Sequence, residues 1–108
     1  MALTLLLLLH ASAFGSAANS PTEILADPDR FDGQPVTVSG TIVSVRELGP
    51  ASFALELSDG QRSIRVLWFG PLGCREGVAT SADGVFRKTK REGYKIYSEV
   101  EATRVVCH

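Results

Sequence analysis

Hydrophobic residues alternate with polar or small residues over most of the chain after Gln34, and this two-residue period constrains the fold more than any other feature. Val36 and Val38, for example, alternate with Thr37 and Ser39. Successive side chains of a β-strand point to opposite faces, so the alternation predicts strands that are buried on one side. No long amphipathic helical pattern accompanies these segments. The chain is therefore predicted to be an all-β protein and not an α/β protein.

The turn residues between the alternating segments divide them into five predicted strands. Asp59-Gly60 is a tight-turn signal after the second strand, and Gly70-Pro71 ends the third. Gly40 and Gly84 interrupt the first and fourth strands, which are predicted to bend or bulge there. Five strands, two of them bent at a glycine, predict a small closed barrel, because closure removes the exposed edges that a flat sheet would have. The predicted strands are 34–45, 53–58, 63–69, 78–89 and 94–106.

A short helix is predicted before the first strand. In Ser20-Pro21-Thr22-Glu23, serine can cap the helix, proline fits its first position and glutamate completes a capping box. Pro28 disfavours helical geometry at the residue before it, so the helix must end early. The large apolar residues of this helix, Ile24 and Leu25, indicate that it plugs one end of the barrel.

The first 18 residues have the pattern of a secretory signal peptide. An unbroken leucine run, 5–9, precedes small residues with possible cleavage sites at 11–13 and 16–18. The run is shorter than the ~20 apolar residues of a membrane-spanning helix. No Lys or Arg precedes it, which departs from the usual signal pattern. We expect residues 1–18 to be cleaved, residues 20–108 to form one domain, and the product to be periplasmic or secreted.

Several segments together resemble a known family: 31–42 (FDGQPVTVSGTI), 53–60 (FALELSDG), 84–86 (GVF) and 99–102 (EVEA). They are similar to the first strand, the second strand with its turn, and the last hairpin of the OB-fold superfamily. The resemblance spans Thr22 to Val106 and implies a five-stranded Greek-key barrel. It also implies a binding function without naming the ligand, because OB-folds bind oligonucleotides, oligosaccharides, proteins and small molecules. One departure is the short segment Gly70–Gly77, which replaces the helix often found between the third and fourth strands.

Basic residues cluster in the predicted hairpin between the fourth and fifth strands. The resemblance implies that this basic hairpin (residues 87–95) flanks a binding face on the second and third strands. The net charge is −1, so electrostatic recognition would depend on such a local patch. Aromatic rings, including Phe69 or Trp68, would add stacking surfaces. The predicted ligand-binding residues are Arg65, Phe69, Arg87, Lys88, Lys90, Arg91, Tyr94, Lys95 and Tyr97.

These features predict a non-catalytic module that binds an anionic ligand, either nucleic acid or oligosaccharide. For an exported protein, anionic glycans, lipid headgroups or an acidic partner protein are better candidates than free nucleic acid. The alternative is that the hairpin is a solvated tip whose charges keep the protein soluble, with Trp68 in the core. In that case the barrel would serve as an envelope interaction or structural module without a small ligand.

The chain has two cysteines, Cys74 and Cys107. In an oxidising compartment they are predicted to form a disulfide between the loop after the third strand and the end of the fifth. In a reducing compartment two separate thiols are expected. His108 beside Cys107 leaves a haem or metal carrier as a further alternative, since the exported haem chaperones of cytochrome c maturation are OB-folds. Their haem-binding histidine lies in a motif that extends into an aromatic tail, which this sequence lacks, so no cofactor and no metal are predicted.

Few residues could carry catalysis. After the predicted signal peptide, His108 is the only histidine, and no Ser or Thr has a partner base in view. Glu99 and Glu101 share one strand face with Lys95 and Tyr97, and we interpret this face as a solvated stripe. The chain is therefore predicted not to be an enzyme.

Overall fold

The computed structural model describes residues 18–108. Apart from Ala18, the predicted signal peptide lies outside the described residues. Within them, no helix combines the length and the apolar character that crossing a bilayer requires.

In the part of the chain that the structure describes, two short helices precede the strands: α1, Pro21–Ala26, and α2, Pro28–Phe31. The predicted capping box is confirmed, because Ser20 Oγ accepts a bond of 3.1 Å from the Glu23 N–H and Glu23 Oε1 accepts one of 2.8 Å from the Ser20 N–H. Helix α1 ends before Pro28, as predicted. The sequence did not indicate α2, which Pro28 itself begins, since proline is compatible with the first helical position. Ile24 is fully buried, so α1 closes one end of the core.

Five strands form a closed barrel in the order β1-β2-β3-β5-β4, with β4 returning to β1. Neighbouring strands are antiparallel except β3 and β5, which are parallel. This confirms the predicted all-β barrel. The strands are β1 (Pro35–Gly49), β2 (Ser52–Ser58), β3 (Ser63–Phe69), β4 (Ala79–Glu92) and β5 (Lys95–Cys107).

The barrel interior is filled by side chains from alternate positions of every strand. The largest of them is Phe86, which is fully buried. Complete burial of an aliphatic or phenylalanine side chain contributes roughly 1.5–3 kcal/mol, so this set is the main stabilising element of a small domain. The other buried apolar strand residues of the core are Val36, Val38, Ile42, Leu55, Leu57, Ile64, Val66, Ala82 and Val100.

Gly40 and Gly84 lie where the strands bend, as predicted. Strand β1 pairs with β4 up to Thr41 and with β2 from Thr41 onward, so it changes partner beside Gly40. A Cβ on Gly40 would lie 2.7 Å from the carbonyl oxygen of Ser58. At Gly84 the register with β5 shifts, and a Cβ there would overlap the Glu101 carbonyl group. In both places the absence of a side chain lets another strand cross closely.

The loop from residue 70 to 78 packs against the barrel core through Leu72 and Cys74. Its Cys74 is buried in the core and forms the predicted disulfide with Cys107 of β5, with a Cα–Cα distance of 5.5 Å. The Gly77 N–H donates a 2.8 Å bond to the Ile42 carbonyl oxygen. Closing a loop of 33 residues contributes about 3–4 kcal/mol in the chain-entropy description.

The hairpin between β4 and β5 is tighter than predicted. The sequence placed its turn at residues 91–93, but β4 continues to Glu92, which pairs with Lys95. Gly93, with φ of +63°, and Tyr94 make the turn. A left-handed glycine suits a two-residue connection between antiparallel strands, so Gly93 itself marks the tip.

Candidate binding face

The outer face of β2, β3, β5 and β4 carries a row of alternating charge. Glu56 of β2 is in register with Arg65 of β3, Arg65 with Glu99 of β5, and Glu99 with Arg87 of β4. Opposite charges on neighbouring strands stabilise the pairing, whereas like charges would oppose it. We call this surface, together with the β1–β2 loop and the basic hairpin at its two ends, the outer face.

Glu99 is the centre of this row and is almost completely buried, with 1% of its side chain exposed. Its Oε2 lies 3.2 Å from Arg65 Nε, and its Oε1 lies 3.7 Å from Lys90 Nζ. Burial raises the pKa of Glu99, while the positive charges of Arg65 and Lys90 act in the opposite direction. The prediction of a solvated stripe is therefore wrong at Glu99, because the cationic side chains cover the carboxylate.

Arg65 is held above Glu99 by an aromatic ring. Its guanidinium carbon lies 4.6 Å from the centre of the Tyr97 ring. Such a cation–π contact contributes about 0.5–2 kcal/mol, depending on solvent exposure. Since only 14% of the Arg65 side chain is exposed, Tyr97 and Glu99 together restrict it to one arrangement.

Glu101 forms the second acidic centre of the outer face. Its Oε1 accepts a 3.0 Å bond from Arg87 Nε, and its Oε2 accepts a 2.9 Å bond from Lys90 Nζ. These bonds lower the pKa of Glu101, and the bond to Glu101 raises the pKa of Lys90. Lys90 therefore joins the two carboxylates into one network.

Lys88 points away from this network toward α2. Its Nζ forms an ion pair with Asp29, which raises the pKa of Lys88, and its backbone N–H donates to Asp32 Oδ1 at 2.9 Å. The charges of Arg87, Lys88 and Lys90 are therefore paired with carboxylates that are distant in sequence.

The tip of the basic hairpin is different. No carboxylate lies within ion-pair distance of Arg91 or Lys95 among residues 18–108. Tyr94 is fully exposed at the turn, and 58% of Ile96 is exposed. The tip thus presents two unpaired cations, a phenol ring and an aliphatic side chain.

Phe69 is the exposed ring at the other end of the outer face. It is 66% exposed and in register with Ser52, beside the β1–β2 loop. The Gly70 N–H donates a 2.8 Å bond to the Ala51 carbonyl oxygen, which fixes the end of β3 against this loop. Trp68 does not contribute to the outer face: it is half-buried, and its Nε1 donates to the Pro71 carbonyl oxygen at 3.1 Å.

A depression of about 240 Å³ lies between α1 and the outer face. Arg65, Lys95 and Tyr97 of the predicted site line it, together with Leu25 and Glu56. The structure thus brings Arg65, Tyr97, Arg87 and Lys90 together and leaves Phe69 and Tyr94 at opposite ends. Sequence reasoning missed the roles of Glu56, Glu99 and Glu101. Opposite charges on adjacent strands are a signal for such residues, but it can be used only when the strand register is known.

The C-terminal residues do not form the proposed metal or haem ligand pair. Cys107 is in the disulfide and offers no thiolate, and His108 Nε2 lies 2.8 Å from Ser81 Oγ. Within residues 18–108, no group of three His, Cys, Asp or Glu side chains could hold a metal ion. The prediction that no Ser or Thr has a partner base is wrong for Ser81, and also for Thr37, whose Oγ1 donates a 2.6 Å bond to Asp83 Oδ1. Because Ser81 Oγ also bonds Ser39 Oγ at 2.8 Å, the Ser39, Ser81 and His108 side chains form a short hydrogen-bonded chain.

No protein-family model matches the sequence, and comparison with curated proteins gives no match. Several solved structures have a similar fold. OBody AM3L09 bound to hen egg-white lysozyme is 13% identical, with a TM-score of 0.59 over 72% of this chain and 84% of that chain. OBody AM2EP06, bound to the same lysozyme, is 14% identical, with a TM-score of 0.57 over 72% and 82%. OBody AM1L10, likewise bound, is 15% identical, with a TM-score of 0.55 over 73% and 83%. At these identities the similarity shows an OB-like fold and nothing further.

Proposed function

We propose that the protein is a non-catalytic binding module that binds a partner protein through the outer face. The observation that carries this proposal is the internal pairing of the charges at the centre of the face, around Glu99 and Glu101. Phe69 and Tyr94 remain exposed at its two ends. Protein interfaces are enriched in aromatic residues and arginine, and the outer face carries both. The carboxylates of Glu99 and Glu101 already have cationic partners, so a protein that covers them leaves neither charge unpaired.

The restricted position of Arg65 supports the same function. Binding costs free energy when a mobile side chain must be ordered, and Tyr97 and Glu99 already order Arg65. Tyrosine and arginine are common among the residues that contribute most to protein binding. The OBody structures of similar fold are bound to a protein, hen egg-white lysozyme, which supports the idea that a barrel of this shape can present a protein-binding surface.

Export to the periplasm or the extracellular space is part of the proposal. The Cys74–Cys107 disulfide supports it, because structural disulfides are typical of oxidising compartments. Mass spectrometry of the protein isolated from its cells tests export. The mature chain is expected to begin near residue 19 and to lack the two protons of free thiols. A full-length chain with both thiols reduced would reject export.

Retention of a partner on immobilised protein tests the binding function. Wild type is compared with Phe69→Ser/Tyr94→Ser and with Thr41→Ala, an exposed control site on β1, across the barrel from β3 and β5. We expect wild type and Thr41→Ala to retain the same protein at low and high salt, and the double variant to lose it. If the double variant retained the partner as well as wild type does, the outer face would not be the binding surface.

A second candidate function is the binding of an anionic polymer by the tip of the basic hairpin. Arg91 and Lys95 favour it, because they have no acidic partner among the described residues and Tyr94 lies between them. A single-stranded oligonucleotide and a heparin fragment, titrated at two salt concentrations, are the probes. If this candidate holds, Arg91→Ala/Lys95→Ala abolishes salt-sensitive binding while Lys88→Ala, whose charge is paired with Asp29, retains most of it. Binding that is unchanged in the first variant would reject it.

A further inference from the structure

A second and larger groove lies on the β1–β4 side of the barrel, away from the central strands of the outer face. Its volume is about 360 Å³. Its polar lining consists of Asn19, Thr37, Asp83 and Thr103, and its apolar lining includes Pro35 and Val85.

Backbone irregularities create this groove. Asp83 is in register with Arg104 and Gly84 with Ala102, so Thr103 is an extra residue in β5. Gly84 lines the groove with its backbone, since β5 lies against it on the side where a Cβ would point. The groove thus lies at the same corner that lets the barrel close.

Asn19 forms one wall of the groove. Its N–H donates a 2.7 Å bond to the Thr37 carbonyl oxygen, and its carbonyl oxygen accepts a 3.0 Å bond from the Ser39 N–H. These bonds fix Asn19 alongside the edge of β1 that β4 does not occupy. Within residues 18–108 its side-chain amide makes no hydrogen bond, and Asn19 lines the groove.

The polar groups of the groove are arranged around Asp83. Thr37 Oγ1 donates a 2.6 Å bond to Asp83 Oδ1, and Thr103 Oγ1 bonds the Asp83 carbonyl oxygen at 3.3 Å. No Lys or Arg lines the groove, so an anionic ligand has no cation to pair with. Arg104 is in register with Asp83 on β5, but these two side chains form no ion pair, so one positive and one negative charge lie near the groove and leave it without a large net charge.

We propose that this groove binds a neutral carbohydrate of one or two rings. Sugar hydroxyls both donate and accept hydrogen bonds, which matches a carboxylate, an amide and two threonine hydroxyls. The C–H face of a sugar ring would pack on Pro35 and Val85. The volume lies at the lower end of the range for small-molecule sites, which limits the ligand to a short saccharide. This site is independent of the outer face.

Amide NMR titration of the mature protein tests this inference. The probes are maltose, lactose and N,N′-diacetylchitobiose, with spermidine and glucuronate as charged comparisons. At least one disaccharide is expected to shift the amide signals of Asn19, Thr37, Gly84 and Thr103, and to do so more strongly than either charged probe. Shifts absent for all three disaccharides, or stronger for a charged probe, would overturn the proposal.

Variants assign the binding to the groove. Thr37→Val removes one hydroxyl and should weaken disaccharide binding roughly three- to tenfold, as expected for the loss of one hydrogen bond. Thr41→Val makes the same change on the same strand outside the groove, and should leave affinity unchanged. Asp83→Asn gives a second test if Thr37→Val does not fold. Equal affinity of the groove variants and Thr41→Val would overturn the assignment, whereas Phe69→Ser, which tests the outer face, should not alter it.

Discussion

Gly84 lies directly against the backbone of Glu101, so closely that a Cβ on Gly84 would overlap the Glu101 carbonyl group. The contact is between two backbones, and no rotation of a side chain could relieve it. The barrel closes at this point because β4 bends where β5 crosses it. Gly40 has the same relationship to Ser58 at the bend of β1.

Replacing Gly84 with alanine should therefore destabilise the whole domain. We expect a loss of about 2–3 kcal/mol in the free energy of unfolding, the cost of forcing backbone shifts in a packed core. Urea denaturation followed by fluorescence measures it. Gly73→Ala is the matched control, since a Cβ there meets no atom within 4 Å, and it should be nearly neutral. Equal stability of the two variants would contradict the close contact between Gly84 and the backbone of Glu101.

Glu99 and Glu101 should give opposite dependences of stability on pH. The pKa of Glu99 is raised above 4.5 in the folded state, so the folded state binds the proton more tightly than the unfolded state. Stability therefore falls as the pH rises from 4.5 to the folded-state pKa. The pKa of Glu101 is lowered, so its contribution is present above 4.5 and is lost as pH falls. The urea midpoint of each variant is measured across this pH range. Glu99→Gln should lose the fall in stability with rising pH, and Glu101→Gln should lose the fall in stability with falling pH. Identical pH profiles for the two variants would exclude a buried Glu99.

Removing the disulfide should destabilise the domain without altering the outer face. Cys74→Ser/Cys107→Ser is expected to lower the free energy of unfolding by about 3–4 kcal/mol, because the unfolded chain regains the entropy of an open loop. A reductant should lower the urea midpoint of wild type and leave that of the variant unchanged. If the reductant had no effect on wild type, the two cysteines would not be joined in solution.

The Arg65–Tyr97 contact can be tested by changing the ring alone. Tyr97→Phe keeps an aromatic face and should cost less than ~0.5 kcal/mol, whereas Tyr97→Leu should cost ~1 kcal/mol more because the cation–π contact is lost. Repeating both in an Arg65→Met background completes a double-mutant cycle. A zero coupling energy in that cycle would show that the ring does not hold Arg65.

Much of the barrel could be predicted because local patterns encode it. The bounds of β3 follow from alternation between two turn signals, and the bends follow from Gly40 and Gly84. The hairpin turn was predicted, but one residue too early, and α2 was not predicted, because sequence propensity indicates that an element exists better than it locates its ends. Pro28 illustrates this, since it both ends one helix and begins another.

The outer face could be predicted only in part, because its chemistry depends on register. Arg65 and Glu99 are distant in sequence and meet only because β3 and β5 are parallel and paired at those residues. Alternation places Glu99 on the outside of the barrel, which sequence reasoning equates with solvent. The structure shows that other side chains can bury an outward residue. Only when the pairing of β3 with β5 is known can the neutralised charges and the exposed ends of the face be recognised.

Site-specific photocrosslinking at Phe69 tests the proposed binding face most directly. A benzophenone amino acid placed there in the producing cells should give a discrete adduct with one protein, unchanged at high salt. The same group at Thr41, which is also exposed, should give none. No adduct at Phe69, or an equal adduct at both positions, would contradict the proposal that the outer face binds a partner protein.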